Sequence, residues 1–230
     1  MALILSIETS TKTSSIAIHD EGTLISSLNI HLEKSHSEYL TPSIKNLLAS
    51  SGLNINSMDA VAISKGPGSY TGLRIGTSTA KGICYALGAK LIAINSLEAI
   101  AFGVSKFQFD DVLLCPMIDA RRMEVYCLVT DQDMALVEST QAKIIDESSF
   151  SNLLSAKKVI FFGNGSSKCE ALLNHSENAK FINGIHPSAE NIGEMAWKSY
   201  KNNLFEDVAY FEPYYLKDFI AKKPSTKKMV

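Results

Sequence analysis

Two carboxylates, Glu8 and Asp119, each close an apolar run ("ALILSIE" and "DVLLCPMID") and each lead into a polar turn before a second apolar run begins. An acid at a strand end can hold a magnesium ion through water, and hydroxyls and amides in the turn beyond it can bind phosphate. The first turn offers Ser10, Thr11 and Lys12. The second offers Arg121, with Arg122 beside it, for phosphate contacts. Two acids facing each other across a cleft between halves are what a duplicated nucleotide-binding fold needs. The plainer reading is two polar hairpin tips rich in Ser, Thr and Arg.

A second candidate is "SKGPGSYTGLRIG", residues 64–76. It follows an apolar run, "AVAIS", and opens a helical pattern, so Ser69, Tyr70, Thr71 and Gly72 would aim amides and the positive helix end at an anion. It lacks the Gly-Lys-Ser/Thr of a P-loop and does not fit G-x-G-x-x-G. The conformational alternative is that Gly66 and Gly68 allow a sharp turn around Pro67, while Gly72 and Gly76 let the helix approach a neighbour closely. The residues leave both readings open. Ser10, Ser69 and Cys84 are conceivable nucleophiles, but no base is placed beside them. The five histidines are dispersed and form no metal-ligand pair, so no metal site is expected.

The elements that must position these groups follow from hydrophobic period and turn signals. "ALILSI", "SSIAIH" and "TLISSLNIHL" read as three strands joined by short turns. Ser35 opens a helix with Glu38 at capping-box spacing, and Leu40, Ile44, Leu47 and Leu48 give its apolar face. "AVAIS" is a strand, the glycine-rich helix runs to about Leu87, "KLIAIN" is a strand and "SLEAIAFG" a short helix. The pattern then restarts with "DVLLCPMID", the turn "ARRM" and "EVYCLVT". Later come a helix near 147–154, the strand "KVIFFG" and a helix from about Ser188 to Asn202. Two strand-first α/β lobes related by duplication are the economical architecture.

Bulk properties bound the function. The chain has 230 residues, 46% hydrophobic and 20% charged, with net charge −2, so the body presents no overall basic field for nucleic acid. The start lacks a basic region and meets Glu8 too early for a signal peptide, and no apolar run is long enough to span a bilayer. Four scattered cysteines point to reduced thiols in a cytoplasm. The tail from Leu216 carries five lysines and is expected to fray, with a solvated role preferred over nucleic-acid contact.

"ILSIETST", "HSEYLTPSI", "SKGPGSYTGLRIGTSTAKGICYALG", "INSLEAIA" and "IDARRMEVY" occur in that order within the first 127 residues. Together they closely resemble the TsaB (YeaZ) family of the bacterial threonylcarbamoyladenosine pathway. "HPSAENIGEMA" and "FEPYYLKD" extend the resemblance more weakly. It implies an α/β ASKHA fold, the actin and Hsp70 type, with two duplicated lobes and mixed sheets: an N-terminal lobe over 1–103, a C-terminal lobe over 104–215 and a basic tail over 216–230. It implies a role in modifying the adenosine beside the tRNA anticodon. The partners implied are a TsaD-like catalytic paralogue and a TsaE-like ATPase, with tRNA engaged through the complex and no membrane. TsaD-like enzymes carry a metal-binding His-x-x-x-His where this chain has "NSLEAI". Ser96 and Ile100 hold those positions and neither replaces imidazole. Met123 stands where the family pattern has glycine, which bears on the hairpin turn.

The leading expectation is therefore a non-catalytic partner that pairs with its paralogue, and with itself when alone, through helices starting near Ser35 and Thr71. His36, Leu40, Ile44, Gly72, Leu73, Gly76 and Ala80 are the expected interface, with Ser78 as a further small residue. Tight cofactor binding is not expected; ATP or ADP with magnesium would bind weakly or at the complex interface. Two alternatives remain: a phosphotransferase or ATPase using Glu8 and Asp119 around a magnesium nucleotide, and a glycoprotease-like peptidase.

Overall fold

The computed structural model describes residues 2–31 and 36–217. Its elements are β1 (Leu3–Glu8), β2 (Ser14–Asp20), β3 (Thr23–Ile30), α1 (His36–Ser50), β4 (Ala60–Gly66), α2 (Tyr70–Leu87), β5 (Lys90–Asn95) and α3 (Ser96–Ser105), followed by β6 (Val112–Asp119), β7 (Glu124–Asp131), β8 (Leu136–Ile144), α4 (Ser151–Ala156), β9 (Lys158–Phe162), α5 (Glu170–Leu173), β10 (Ala179–Ile182) and α6 (Ala189–Lys201). The Ser35 cap and the tail beyond residue 217 lie outside the described residues.

The duplication is visible in the sheets. The first has strand order β3-β2-β1-β4-β5 and the second β8-β7-β6-β9-β10, the same order repeated. In each, three antiparallel strands come first and two strands add in parallel through helical connections. β1 and β6 are therefore central, and Glu8 and Asp119 occupy equivalent strand ends. β8 and β10 are edge strands that the reading above lacks. β8 ("LVESTQAKI") is half-exposed and mostly polar, so no apolar run announces it. β10 is only four residues long.

Strand period sorts the core into layers. Leu3, Leu5 and Ile7 of β1 point to one face, where they meet Leu40, Ile44, Leu47 and Leu48 of α1 and Ala80 and Cys84 of α2. Ile4 points to the other, where Ile192 and Ala196 of α6 cover it. In the second sheet, Leu113, Cys115 and Met117 pack toward α4 and α5, while Leu114 and Ile118 pack against Leu97, Ile100 and Val104 of α3. The lobes thus exchange helices: α3, from the first half, lies on β6 and β7, and α6, from the second half, lies on β1 and β2. A division at 103/104 falls inside α3 and would strip each sheet of the helix covering its inter-lobe face.

His19 on β2 lies at this exchange. It is fully buried, and among the described residues neither ring nitrogen has a hydrogen bond of normal geometry. A Cβ on Gly193 of α6 would come within 2.1 Å of its Nδ1, so only glycine lets the helix sit there. Burial holds the imidazole below its ordinary pKa; Lys106 acts in the same direction, and Glu194 and Glu190 oppose it. Because the folded state resists the proton, the stability His19 confers is present above the unfolded pKa of about 6.5 and is lost as pH falls. His19→Leu is expected to lose less melting temperature than the natural chain between pH 7.5 and 5. Equal losses in thermal melts would contradict this account.

Candidate functional site

The glycine-rich stretch packs onto the β1–β2 turn. Ser69 N donates to the Ser10 carbonyl at 2.6 Å, and Thr9 Oγ1 donates to the Gly72 carbonyl at 2.8 Å. A Cβ added at Gly68 would fall 2.3 Å from Ser10 O, at Gly72 2.1 Å from Thr9 O, and at Gly76 2.3 Å from Thr9 Oγ1. Gly66, at φ +109 before the cis Gly66–Pro67 bond, faces the Tyr214 carbonyl of the C-terminal segment. The glycines make room for the chain's own turn. This corrects the expectation that Gly72 and Gly76 open α2 to a partner.

The same packing leaves little for an anion. Ser69 caps α2 by accepting from Gly72 N, and Leu73 N bonds the Ser69 carbonyl. Tyr70 packs against Tyr215 with ring centroids 4.8 Å apart and planes tilted, and the Arg74 guanidinium lies 4.2 Å from the Tyr70 ring centre, so the C-terminal segment packs beside the helix start. Thr71 is exposed.

Glu8 is fully buried. Ser10 N donates to its Oε1, while Oε2 and the Ser10 hydroxyl have no hydrogen bond of normal geometry among the described residues. Burial pushes its carboxyl up to about 7, against hydrogen bonding from Ser10 and Ser64. Thr11 is also buried, and Lys12 is exposed. At the equivalent point of the second lobe Asp119 is exposed. Its carboxylate pairs with Lys168 and accepts from Arg121 N at 2.9 Å. Lys168 also donates to the carbonyls of Arg122 (2.7 Å) and Glu124 (2.6 Å), and Lys217 pairs with Glu124, so the hairpin is clamped from two sides. The positive-φ residues of this turn are Arg121 and Arg122, so Met123 does not carry the left-handed backbone that a glycine would ease. Asp119 is not among the groups that bear on Glu8. A dry carboxyl whose pKa is raised to about 7, a helix start capped by its own Ser69 and an acid already ion-paired fit a magnesium nucleotide poorly. Lys168 carried no signal in the sequence.

Of the other candidate catalytic groups, Ser10 is buried, Ser69 is a cap, and burial raises the Cys84 thiol to about 11. Ser96 and Ile100 both face inward from α3, Ile100 among Leu97 and Val104. Among the described residues no group of three His, Cys, Asp or Glu could hold a metal ion, and no helix is long and apolar enough to cross a membrane.

The expected interface residues are internal. Leu40, Leu73 and Ala80 are buried, Ile44 shows only at the floor of a groove, and Gly72 and Gly76 face Thr9. Of His36 only the backbone is described. The outward surface of the same two helices is different: α1 and α2 lie side by side and enclose a groove of about 770 Å³. Its lining includes Ala49, Leu53, Ser78, Gly82, Ile83 and Ala86. Ser78, Gly82 and Ala86 recur every four residues, one helix face away from Gly72, Gly76 and Ala80. That spacing is a signal the sequence reading missed.

Comparison with known proteins follows the same outline. A family model described as TsaD, tRNA N6-adenosine threonylcarbamoyltransferase, matches residues 30–225. The chain is 38% identical over 123 residues to the tRNA threonylcarbamoyladenosine biosynthesis protein TsaB of Bacillus subtilis, covering 54% of this chain and 52% of that protein. It is 37% identical over 128 residues to TsaB of Escherichia coli, with the same coverage of 54% and 52%. The chain thus spans about half the length of the curated relatives it matches. Among solved structures, YeaZ from Pseudomonas aeruginosa aligns with TM-score 0.81 at 25% identity, covering 94% of this chain and 100% of that one. The activator of the 2-hydroxyisocaproyl-CoA dehydratase from Clostridium difficile aligns with TM-score 0.52 at 12% identity, covering 87% and 96%, a likeness of fold alone. The architecture is the expected ASKHA fold, two duplicated lobes with mixed sheets.

Proposed function

Because the chain belongs to the TsaD family of tRNA N6-adenosine threonylcarbamoyltransferases, we propose that it is a TsaB-type subunit of that modification, a scaffold and activator without chemistry of its own. It docks a TsaD-like catalytic paralogue, which transfers the threonylcarbamoyl group to the adenosine beside the anticodon. A TsaE-like ATPase joins the assembly, tRNA is engaged through the complex, and the setting is the cytoplasm. The observation that carries this reading is the α1–α2 groove: apolar on its floor and walled by small side chains, where a partner helix could approach closely. The candidate catalytic groups, by contrast, are buried or already paired within the chain.

Gly82 offers a direct test, because no described residue lies within 4 Å of a Cβ placed there. Gly82→Arg leaves the fold unstrained and puts a charge into the docking surface. A buried unpaired charge costs several kcal/mol, so affinity for the TsaD-like protein is expected to fall by about 100-fold or more without loss of monomer stability. The isolated chain, which pairs with itself through this face, becomes a monomer in light scattering. Full retention of the complex by Gly82→Arg overturns the assignment. ATP hydrolysis by the isolated chain that is lost in Asp119→Ala would favour the phosphotransferase instead.

A further inference from the structure

A second cavity, of about 640 Å³, opens where the lobes meet. That volume lies within the ordinary range of small-molecule sites. Its walls come from three places: Lys65, Asn95 and Glu98 at the ends of β4 and β5 and the start of α3; Leu136, Ser139 and Thr140 on β8; and the segment from Glu206 to Tyr214. The walls are tied together. Asn95 Oδ1 accepts from Leu97 N at 2.9 Å and its Nδ2 donates to Thr140 Oγ1 at 2.9 Å, bridging the lobes. Tyr214 N donates to the Lys65 carbonyl at 2.7 Å, and Glu206 pairs with Leu91 at the sheet edge.

Two half-buried charged groups on this lining are left without contacts among the described residues. Lys65 and Glu98 are both half-buried, and neither side chain forms a hydrogen bond or ion pair among the described residues. Glu98 feels the charge of Lys65 without contacting it: burial raises the pKa of Glu98, and Lys65 lowers it only in part. A partly desolvated carboxyl and an ammonium, held apart across one cavity, are complementary to a small molecule with both charges. Asn95 is already committed to its cap and to Thr140, so specificity rests on the charged pair. The further acids, Glu206 and Glu212, are exposed, where solvent and salt screen them; they disfavour a ligand with an additional negative charge. Leu136, Phe211 and Tyr214 supply apolar surface for an uncharged side chain.

We propose that this cavity binds a free neutral α-amino acid, its ammonium group on Glu98 and its carboxylate on Lys65. The site is separate from the α1–α2 groove and does not rest on the docking assignment. The test is calorimetric titration of the full chain with L-threonine, L-leucine, L-methionine and L-tyrosine. Isobutylamine and isobutyrate, each carrying one of the two charges, are the controls. At least one amino acid is expected to bind with Kd of about 1 mM or tighter, and both controls about tenfold or more weaker. Glu98→Gln and Lys65→Met should each weaken the amino acid by about tenfold or more, with melting temperatures unchanged because both side chains are half-exposed. The proposal is overturned if none of the four amino acids binds below about 5 mM, if a control binds as tightly as the amino acid, or if both variants bind like the natural chain.

Discussion

Gly72→Ala is expected to be among the most damaging single-methyl changes in this protein, and Gly82→Ala, ten residues along the same helix, to be stabilising. At Gly72 the new Cβ would stand 2.1 Å from the Thr9 carbonyl oxygen, a backbone atom in the turn that ends the central strand of the first sheet. No rotamer relieves that contact. Either α2 lifts off the sheet, taking Leu73, Ala80 and Cys84 with it, or the turn moves and breaks the bond from Ser69 N to Ser10 O. Overpacking of this kind costs about 3 kcal/mol, a large part of the 5–15 kcal/mol that folds a typical domain. In a chain of this length that corresponds to roughly 6–12 °C of melting temperature. At Gly82 a Cβ meets open space, so the same substitution gains helix propensity, about 0.5–1 kcal/mol. Thermal and urea denaturation of the two variants side by side give the sign as well as the size. If Gly72→Ala proves as stable as the natural chain, the close approach of α2 to Thr9 is not what positions the helix.

That contrast shows what a sequence can and cannot disclose here. The ends of α2 are written locally: Ser69 is a good N-cap residue, and Gly88 adopts the left-handed conformation that closes the helix. The central strands are legible because they are buried on both faces and read as continuous apolar runs. The repeat of strand, acid, turn and strand anticipated the common strand order of the two sheets. Sidedness was harder. α2 carries two stripes of small residues, and the helical period fits both. Choosing the inner one requires knowing that Thr9 and Ser10 lie beneath it, a contact more than 60 residues away in sequence. The exchange of α3 and α6 between lobes is non-local in the same way, since nothing in either helix names the sheet it covers. Edge strand β8 was missed because a half-solvated strand has no reason to be apolar. Glu8 was correctly placed at a strand end, but its burial, which decides its protonation, is a property of the assembled turn.

Glu8 therefore yields the second large expected effect, a pH dependence of stability opposite to that of most native carboxylates. Its pKa is raised from 4.5 to about 7 in the fold, with burial as the leading cause. Between those values the folded chain keeps a proton that the unfolded chain releases. Stability from this group is fully present below about pH 4.5, declines as pH rises and is lost above about 7. A separation of roughly 2.5 units corresponds to about 3 kcal/mol. Glu8→Gln mimics the protonated acid: its carbonyl accepts from Ser10 N, and its amide can donate to the Ser10 hydroxyl, which otherwise has no hydrogen bond of normal geometry among the described residues. The variant is expected to match the natural chain near pH 4.5 and to exceed it by up to about 3 kcal/mol at pH 8, read from urea denaturation at both pH values. His19 titrates in the same window with the opposite sign, but it is common to both chains and cancels in their difference. Parallel pH profiles for the two would mean that Glu8 is ionised in the fold and reachable by a cation, restoring the nucleotide reading that its burial opposes. A diverging pair would mark the end of β1 as a structural turn beneath α2, its carboxyl held by the fold rather than by a cation.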